Sequence, residues 1–157
     1  MAAVAMAALL FAASVPLLGG SVASAAQPRE VPIAGVFGGT LQPTGAETFS
    51  LQGAGGATHL GPVAYEAAAT ITGLLPDGLT DTLVETLTAR DGSSVTIFCS
   101  QVATEISPGV FHGVDTWTVV GGTGRFSGAT GSGSGQTDVD LNTGVFNKAI
   151  SGTITTR

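Results

Sequence analysis

From Ala26 onward apolar side chains recur at every second position, and no stretch shows the three-and-four spacing of an amphipathic helix. Such alternation gives a pleated strand one apolar face and one polar face. Turn residues interrupt the pattern roughly every ten to fifteen positions, the cadence of a β-meander or barrel. The pattern predicts eight strands: Val31–Leu41, Glu47–Gln52, Thr58–Thr72, Leu79–Arg90, Ser93–Val102, Val110–Val120, Phe126–Asp138 and Val145–Thr155. The joints carry their own chemistry. Asp91-Gly92 predicts a type I′ hairpin, because both residues tolerate positive φ. Asn142-Thr-Gly144 predicts a three-residue loop with Gly144 left-handed. Pro76-Asp-Gly78 and Ser107-Pro-Gly109 are further turns, with Pro setting φ ahead of Gly.

The segment from Trp117 to Gly131 narrows the architecture. A β-branched run with a Trp meets the corner Gly121-Gly-Thr-Gly124, and Phe126 is expected to open the next strand. Gly-x-Phe triplets at Gly35, Gly109, Gly124 and Gly144 are too irregular for a solenoid. They read instead as turn glycines followed by Phe anchors. Eight strands close into a barrel whose interior is either filled by side chains or wide enough for one small ligand.

Residues 1–25 read as a cleavable signal segment, with the barrel domain at 26–157. Met1 to Gly20 is almost wholly apolar and runs into Ser21-Val-Ala-Ser-Ala25, a small-residue cleavage pattern. The segment lacks a basic start, the first cationic residue being Arg29, and a retained membrane anchor is the alternative. The expected location is therefore secreted or in the cell envelope. A barrel domain of about 130 residues buries enough surface to fold without staples. That matters because Cys99 is the only cysteine, so no internal disulfide forms. Five basic residues against eleven acidic ones give a net charge of −6, a surface that repels nucleic acid and anionic lipid.

Val119-Val-Gly-Gly-Thr-Gly-Arg-Phe126 resembles the Gly-Gly-Thr-Gly-x-Phe signature of plant dirigent proteins, and the corner of allene oxide cyclases is similar. Thr58-His-Leu-Gly61, taken with this corner and a final Gly-rich hairpin, resembles small exported bacterial members of the same superfamily, whose role is uncharacterised. The resemblance implies an all-β fold, a single eight-stranded antiparallel β-barrel, usually trimeric. It also implies an interior that encloses small, mainly apolar molecules and in some members directs their cyclisation. The active-site residues of those families match no identifiable positions here.

Candidate chemistry rests on the alternation itself. Period two places Glu85 with Leu83 and Leu87, Asp115 with Phe111, Trp117 and Val119, and Glu47 with Phe49 and Leu51. If those faces point inward, Glu85 and Asp115 are interior acids with raised pKa, fit for general acid work or hydrogen-bond donation. Each then needs a partner, for which Arg90, Arg125, Tyr65 or a Thr hydroxyl are candidates. The alternative is that the apolar faces point outward into a subunit interface, or that each acid sits near a strand end in water. Tyr65, Phe111 and Trp117 are candidate ligand contacts, or core packing, and Arg125 either stays in solvent bonding exposed loop carbonyls or caps a pocket entrance.

Other chemistries lack their signatures. The glycine runs are without the G-x-G-x-x-G or Gly-Lys-Ser/Thr endings of phosphate loops. His59 and His112 give no metal-ligand spacing, and His59 is read as structural at a strand start. Cys99 reads as a buried packing residue in a chain poor in basic groups. No Gly-x-Ser-x-Gly elbow appears. No metal and no cofactor are expected. The sequence thus points to an exported barrel that binds a small, mainly apolar molecule, with cyclase- or isomerase-like activity in view. The alternative is a non-catalytic structural or envelope-associated oligomer.

Overall fold

The computed structural model describes residues 29–156, and the expected signal segment lies outside them. Eight strands follow in chain order: β1 Arg29–Pro43, β2 Thr48–Ala57, β3 Gly61–Leu75, β4 Gly78–Ala89, β5 Ser94–Ser107, β6 Val110–Gly122, β7 Thr130–Asp140 and β8 Val145–Thr156. Each pairs antiparallel with the next, and β8 returns to pair with β1 from Arg29↔Thr156 to Thr40↔Val145. The sheet is therefore a closed eight-stranded barrel, and closure removes the exposed edges that an open sheet would carry.

Alternation decides what fills it. Ile33, Phe37, Leu51, Tyr65, Leu83, Leu87, Ile97, Trp117, Phe146 and Ile150 point inward and are buried, while their strand neighbours face out. Glycines on β7 and β8 make space for the largest of them. A Cβ on Gly133 or Gly152 would lie 2.4 or 2.6 Å from Cζ2 of Trp117, so the indole rests where two side chains are missing. Its Nε1–H donates to the carbonyl of Ser134 at 3.0 Å, which satisfies the one polar atom it buries.

The two ends differ. At one end the turns after β2, β4 and β6 fold inward, and Leu60, Phe126 and Ala129 are buried there. Arg125 ties these turns together. Its guanidinium donates to the carbonyl of Leu60 at 3.3 Å, pairs with Asp91 at 3.4 Å and lies 4.9 Å over the Phe126 ring. At the other end short turns follow β1, β3, β5 and β7 and leave the mouth open. Register shifts at Ile71/Gly73 and Glu105/Ser107 bend β3 and β5 near this open end.

Several local expectations are corrected. Phe126 does not open a strand: it ends a single 3-10 turn, Gly124–Phe126, and β7 starts at Thr130. Gly124 at φ 57 turns the chain sharply enough to drop that Phe into the closed end as a plug. Asp91-Gly92 is not a type I′ turn, since only Gly92 has positive φ. The Gly92 N–H donates to Ala89 and the Ala89 N–H to Ser93, a wider loop than two residues make. The loop before β8 spans four residues between strands instead of three, with Gly144 left-handed as anticipated. Glu47 lies in the turn before β2, exposed, and does not share the inward face of Leu51. His59 is in the turn between β2 and β3 with φ 65, not at a strand start.

Candidate functional site

An apolar cavity of about 80 Å³ occupies the open half of the barrel. Leu51, Leu83 and Ala103 form its buried walls, while Phe49, Ile71 and Phe111 are half-buried at the rim, so the space communicates with solvent. An engineered cavity of about 150 Å³ accommodates a benzene ring. The space here holds a smaller fragment entirely, and a larger ligand must extend through the mouth.

The floor is polar. Asp81, Gln101 and Thr137 line the same cavity. Register sets Asp81, Gln101 and Asp115 side by side on β4, β5 and β6, and Thr137 beside Lys148 on β7 and β8. Gln101 Nε2 donates to Asp81 Oδ2 at 3.1 Å. Its amide also lies over Gly113, where a Cβ would come within 2.5 Å of it, so this glycine lets the side chain lean across β6. Burial pushes the Asp81 carboxyl up to about 6, against the opposing effects of the Gln101 hydrogen bond and the Lys148 charge. Each of these lining residues also buries one polar atom that has no hydrogen-bond partner within the protein: Asp81 Oδ1, Gln101 Oε1 and Thr137 Oγ1.

Behind the floor lies a layer of buried charge. Lys148 Nζ sits 2.6 Å from Glu85 Oε1 and 2.8 Å from Asp115 Oδ2, and all three side chains are wholly inaccessible. Gly135 makes space for the second carboxylate, since a Cβ there would lie 2.7 Å from both oxygens of Asp115. Burial alone would lower the pKa of the ammonium. The negative charges facing it, Glu85 foremost, reverse that and hold it above its ordinary value. Cys99 donates its thiol to Glu85 Oε1 at 3.2 Å, and burial raises its pKa, as expected of a packing cysteine that stays protonated. Tyr65 stacks on Phe37 with centroids 5.3 Å apart and tilts against Phe146 at the same distance. Burial first, and then the Glu85 charge, push its phenol pKa up.

The predicted site residues therefore separate into four places. Glu85 and Asp115 are both interior and meet across Lys148. Phe111 is at the cavity rim. Tyr65 and Trp117 are in the packed interior and do not line the cavity. Arg125 is at the closed end, bonding a loop carbonyl, and caps no part of the cavity. The histidines stay apart: His112 pairs with Asp138 at 2.7 Å on the outer surface near the open end, whereas His59 belongs to a closed-end turn. Among the described residues no three His, Cys, Asp or Glu side chains cluster as metal ligands.

Sequence reasoning did not single out Asp81, Gln101, Thr137 or Lys148. The signal was present for each. Asp81 is in phase with Leu79 and Leu83, Gln101 with Cys99 and Ala103, Thr137 with Val139, and Lys148 with Phe146 and Ile150.

The architecture matches that of a solved dirigent protein. The pterocarpan synthase dirigent protein GePTS1 superposes with a TM-score of 0.53 over 94% of this chain and 100% of its own, at 13% sequence identity. At that identity the likeness establishes a dirigent-like barrel fold and nothing about chemistry. No protein-family model matches the sequence, and no curated protein matches it either.

Proposed function

We propose that this protein is an exported barrel that binds one small, mainly apolar molecule in its open-end cavity and holds it in a defined pose against the polar floor. The cavity carries the reading: hydrocarbon walls with a few convergent polar residues, Asp81, Gln101 and Thr137, are the makeup of a small-molecule site. The dirigent-like fold supports a binding or stereocontrol role of this kind. Fixing a flexible substrate in one folded conformer is itself catalytic for a cyclisation or isomerisation. Asp81 supplies a carboxyl able to exchange a proton near neutral pH at the end of that pose. In this reading Glu85 and Asp115 act through Lys148, setting the field beneath the floor. Export rests on the leader at 1–25.

Thermal-shift titration with small neutral rings such as cyclopentanol and cyclopentane tests the reading. Binding is expected to raise Tm, and Ala103→Phe, which fills the cavity, is expected to abolish the shift. If no such molecule shifts Tm, the reading fails.

The outer surface favours a second reading, a structural oligomer. Val84 is cross-strand from Phe98, and Val102 from Val114, all exposed on the outside of β4, β5 and β6. The intervening outward positions are Thr and Ser. In a chain of net charge −6, an uncharged apolar face is where copies approach without repulsion. The partner would be a second copy of this chain, in a trimer if the resemblance to dirigent proteins holds. Sedimentation of wild type and Phe98→Ser checks it: wild-type oligomers that dissociate in the variant support association, and a wild-type monomer removes it.

A further inference from the structure

The polar floor of the cavity specifies more than an apolar guest. Its lining residues Asp81, Gln101 and Thr137 each carry one buried atom without a partner, Oδ1, Oε1 and Oγ1: a carboxylate oxygen, an amide carbonyl and a hydroxyl that a small rotation of each side chain would bring to a ligand. The first two only accept hydrogen bonds, and the third is able to. Gln101 and Thr137 are 93% and 98% buried, being 7% and 2% exposed, so bulk water does not readily serve them. The floor therefore calls for a donor. An alcohol brings one O–H, whereas a primary ammonium brings three N–H groups on one atom.

Charge points the same way. Glu85 and Asp115 are wholly buried and Asp81 lies at the floor, three carboxylates in all. Lys148 is the single buried cation among the described residues, and its ammonium is already committed to Glu85 and Asp115. Asp81 thus has no cation of its own, and its ionised form is held in a partly buried, net-negative interior. A ligand cation at this point would relieve that repulsion at the one carboxylate lining the cavity.

We propose that the floor of the open-end cavity recognises a small apolar primary amine, bound as its ammonium by Asp81, Gln101 and Thr137, with the hydrocarbon part against Leu51, Leu83 and Ala103. The proposal rests on the binding reading above and names the ligand class for that same cavity. An aliphatic ammonium stays charged across the working pH range, so its attraction to the site follows the ionisation of Asp81. The charged groups facing that carboxyl are Lys148 from β8, Asp115 from β6 and Glu85 from its own strand.

Calorimetric titration of the full chain with cyclopentylamine, cyclopentanol and cyclopentane tests it, since the three share a ring and differ in the head group. At pH 7 the amine is expected to bind at least about tenfold more tightly than the alcohol, the advantage of a charge-assisted hydrogen bond. Asp81→Asn is expected to bring the amine-to-alcohol ratio to about one. At pH 5 the wild-type amine affinity is expected to fall about tenfold, as a carboxyl with pKa near 6 takes up its proton. Should alcohol and amine bind equally, or should the amine's advantage survive Asp81→Asn, the ammonium assignment is overturned while the cavity reading stands. Binding by none of the three overturns both.

Discussion

The ammonium of Lys148 lies 2.6 Å from Glu85 Oε1 inside the barrel, with neither side chain exposed to solvent. Asp115 completes the arrangement from the adjacent quarter of the wall at 2.8 Å. Such a layer is costly to desolvate and costlier to break, because removing one member strands the others without water or counter-charge.

Lys148→Met is accordingly expected to destabilise the fold by about 3–5 kcal/mol at pH 7. Adding Glu85→Gln and Asp115→Asn to it should recover part of the loss, since no stranded carboxylate remains. Denaturant titration of the single and triple variants checks this. A single variant as stable as the wild type would mean that the charges are not buried as described.

Asp81 gives stability a pH dependence of defined sign. Its folded pKa, about 6, exceeds the ordinary carboxyl value of 3.8, so the folded state holds the proton more tightly than the unfolded state. Its contribution is therefore favourable at low pH and diminishes as pH rises from about 4 to about 6. Asp81→Asn is expected to raise Tm by a few degrees at pH 7.5 and to leave it unchanged near pH 3.5. Thermal melts of both proteins across that range decide it. A variant less stable at pH 7.5 would contradict the assignment.

Tyr65 packs its ring between Phe37 and Phe146 and buries its hydroxyl beside the Glu85 carboxylate without a well-formed hydrogen bond. Tyr65→Phe keeps the ring and removes the orphaned oxygen, so stability is expected to hold or to rise by about 1 kcal/mol. Ligand affinity should not change, because the ring lies outside the cavity. Loss of binding in this variant would move the phenol into the site.

Arg125 holds the closed end through an exposed pair with Asp91 and a bond to the Leu60 carbonyl. Exposed pairs contribute little. Arg125→Ala is expected to lower Tm by only a few degrees and to leave small-molecule affinity intact, as measured by melts and calorimetry together. A selective loss of affinity would place the ligand at the wrong end of the barrel.

Alternation made the barrel legible. A period-two pattern over eight segments leaves few architectures open, and the pairing of β8 with β1 decides for the closed one. It also placed Glu85 and Asp115 on the same faces as apolar residues, but which way those faces point is settled only by the closed sheet, in which both are buried. The partner cation was harder to read, because a lysine in an apolar strand such as Phe146-Asn-Lys-Ala-Ile150 usually marks an outward position. Only the closed register, which sets Lys148 next to Thr137, two strands from Asp115 and opposite Glu85 across the lumen, reveals its role. The corner was misjudged for a different reason. A glycine-rich turn leaves the exit direction open, and here it is fixed by the neighbouring Arg125, whose backbone N–H donates to Ser93 Oγ and whose guanidinium donates to the Leu60 carbonyl, so that Phe126 plugs the end. The floor went unseen because Asp81, Gln101 and Thr137 come from three strands and form no linear motif.

A ligand in the interior of the open half would be felt first by the methyl groups that line it, which makes methyl-resolved NMR the decisive measurement. Titration with cyclopentanol is predicted to shift the methyl signals of Leu51, Leu83 and Ala103 while leaving the outward-facing Val36, Val84 and Val114 unmoved. Shifts confined to the outer valines, or none at all at saturating ligand, would contradict the account.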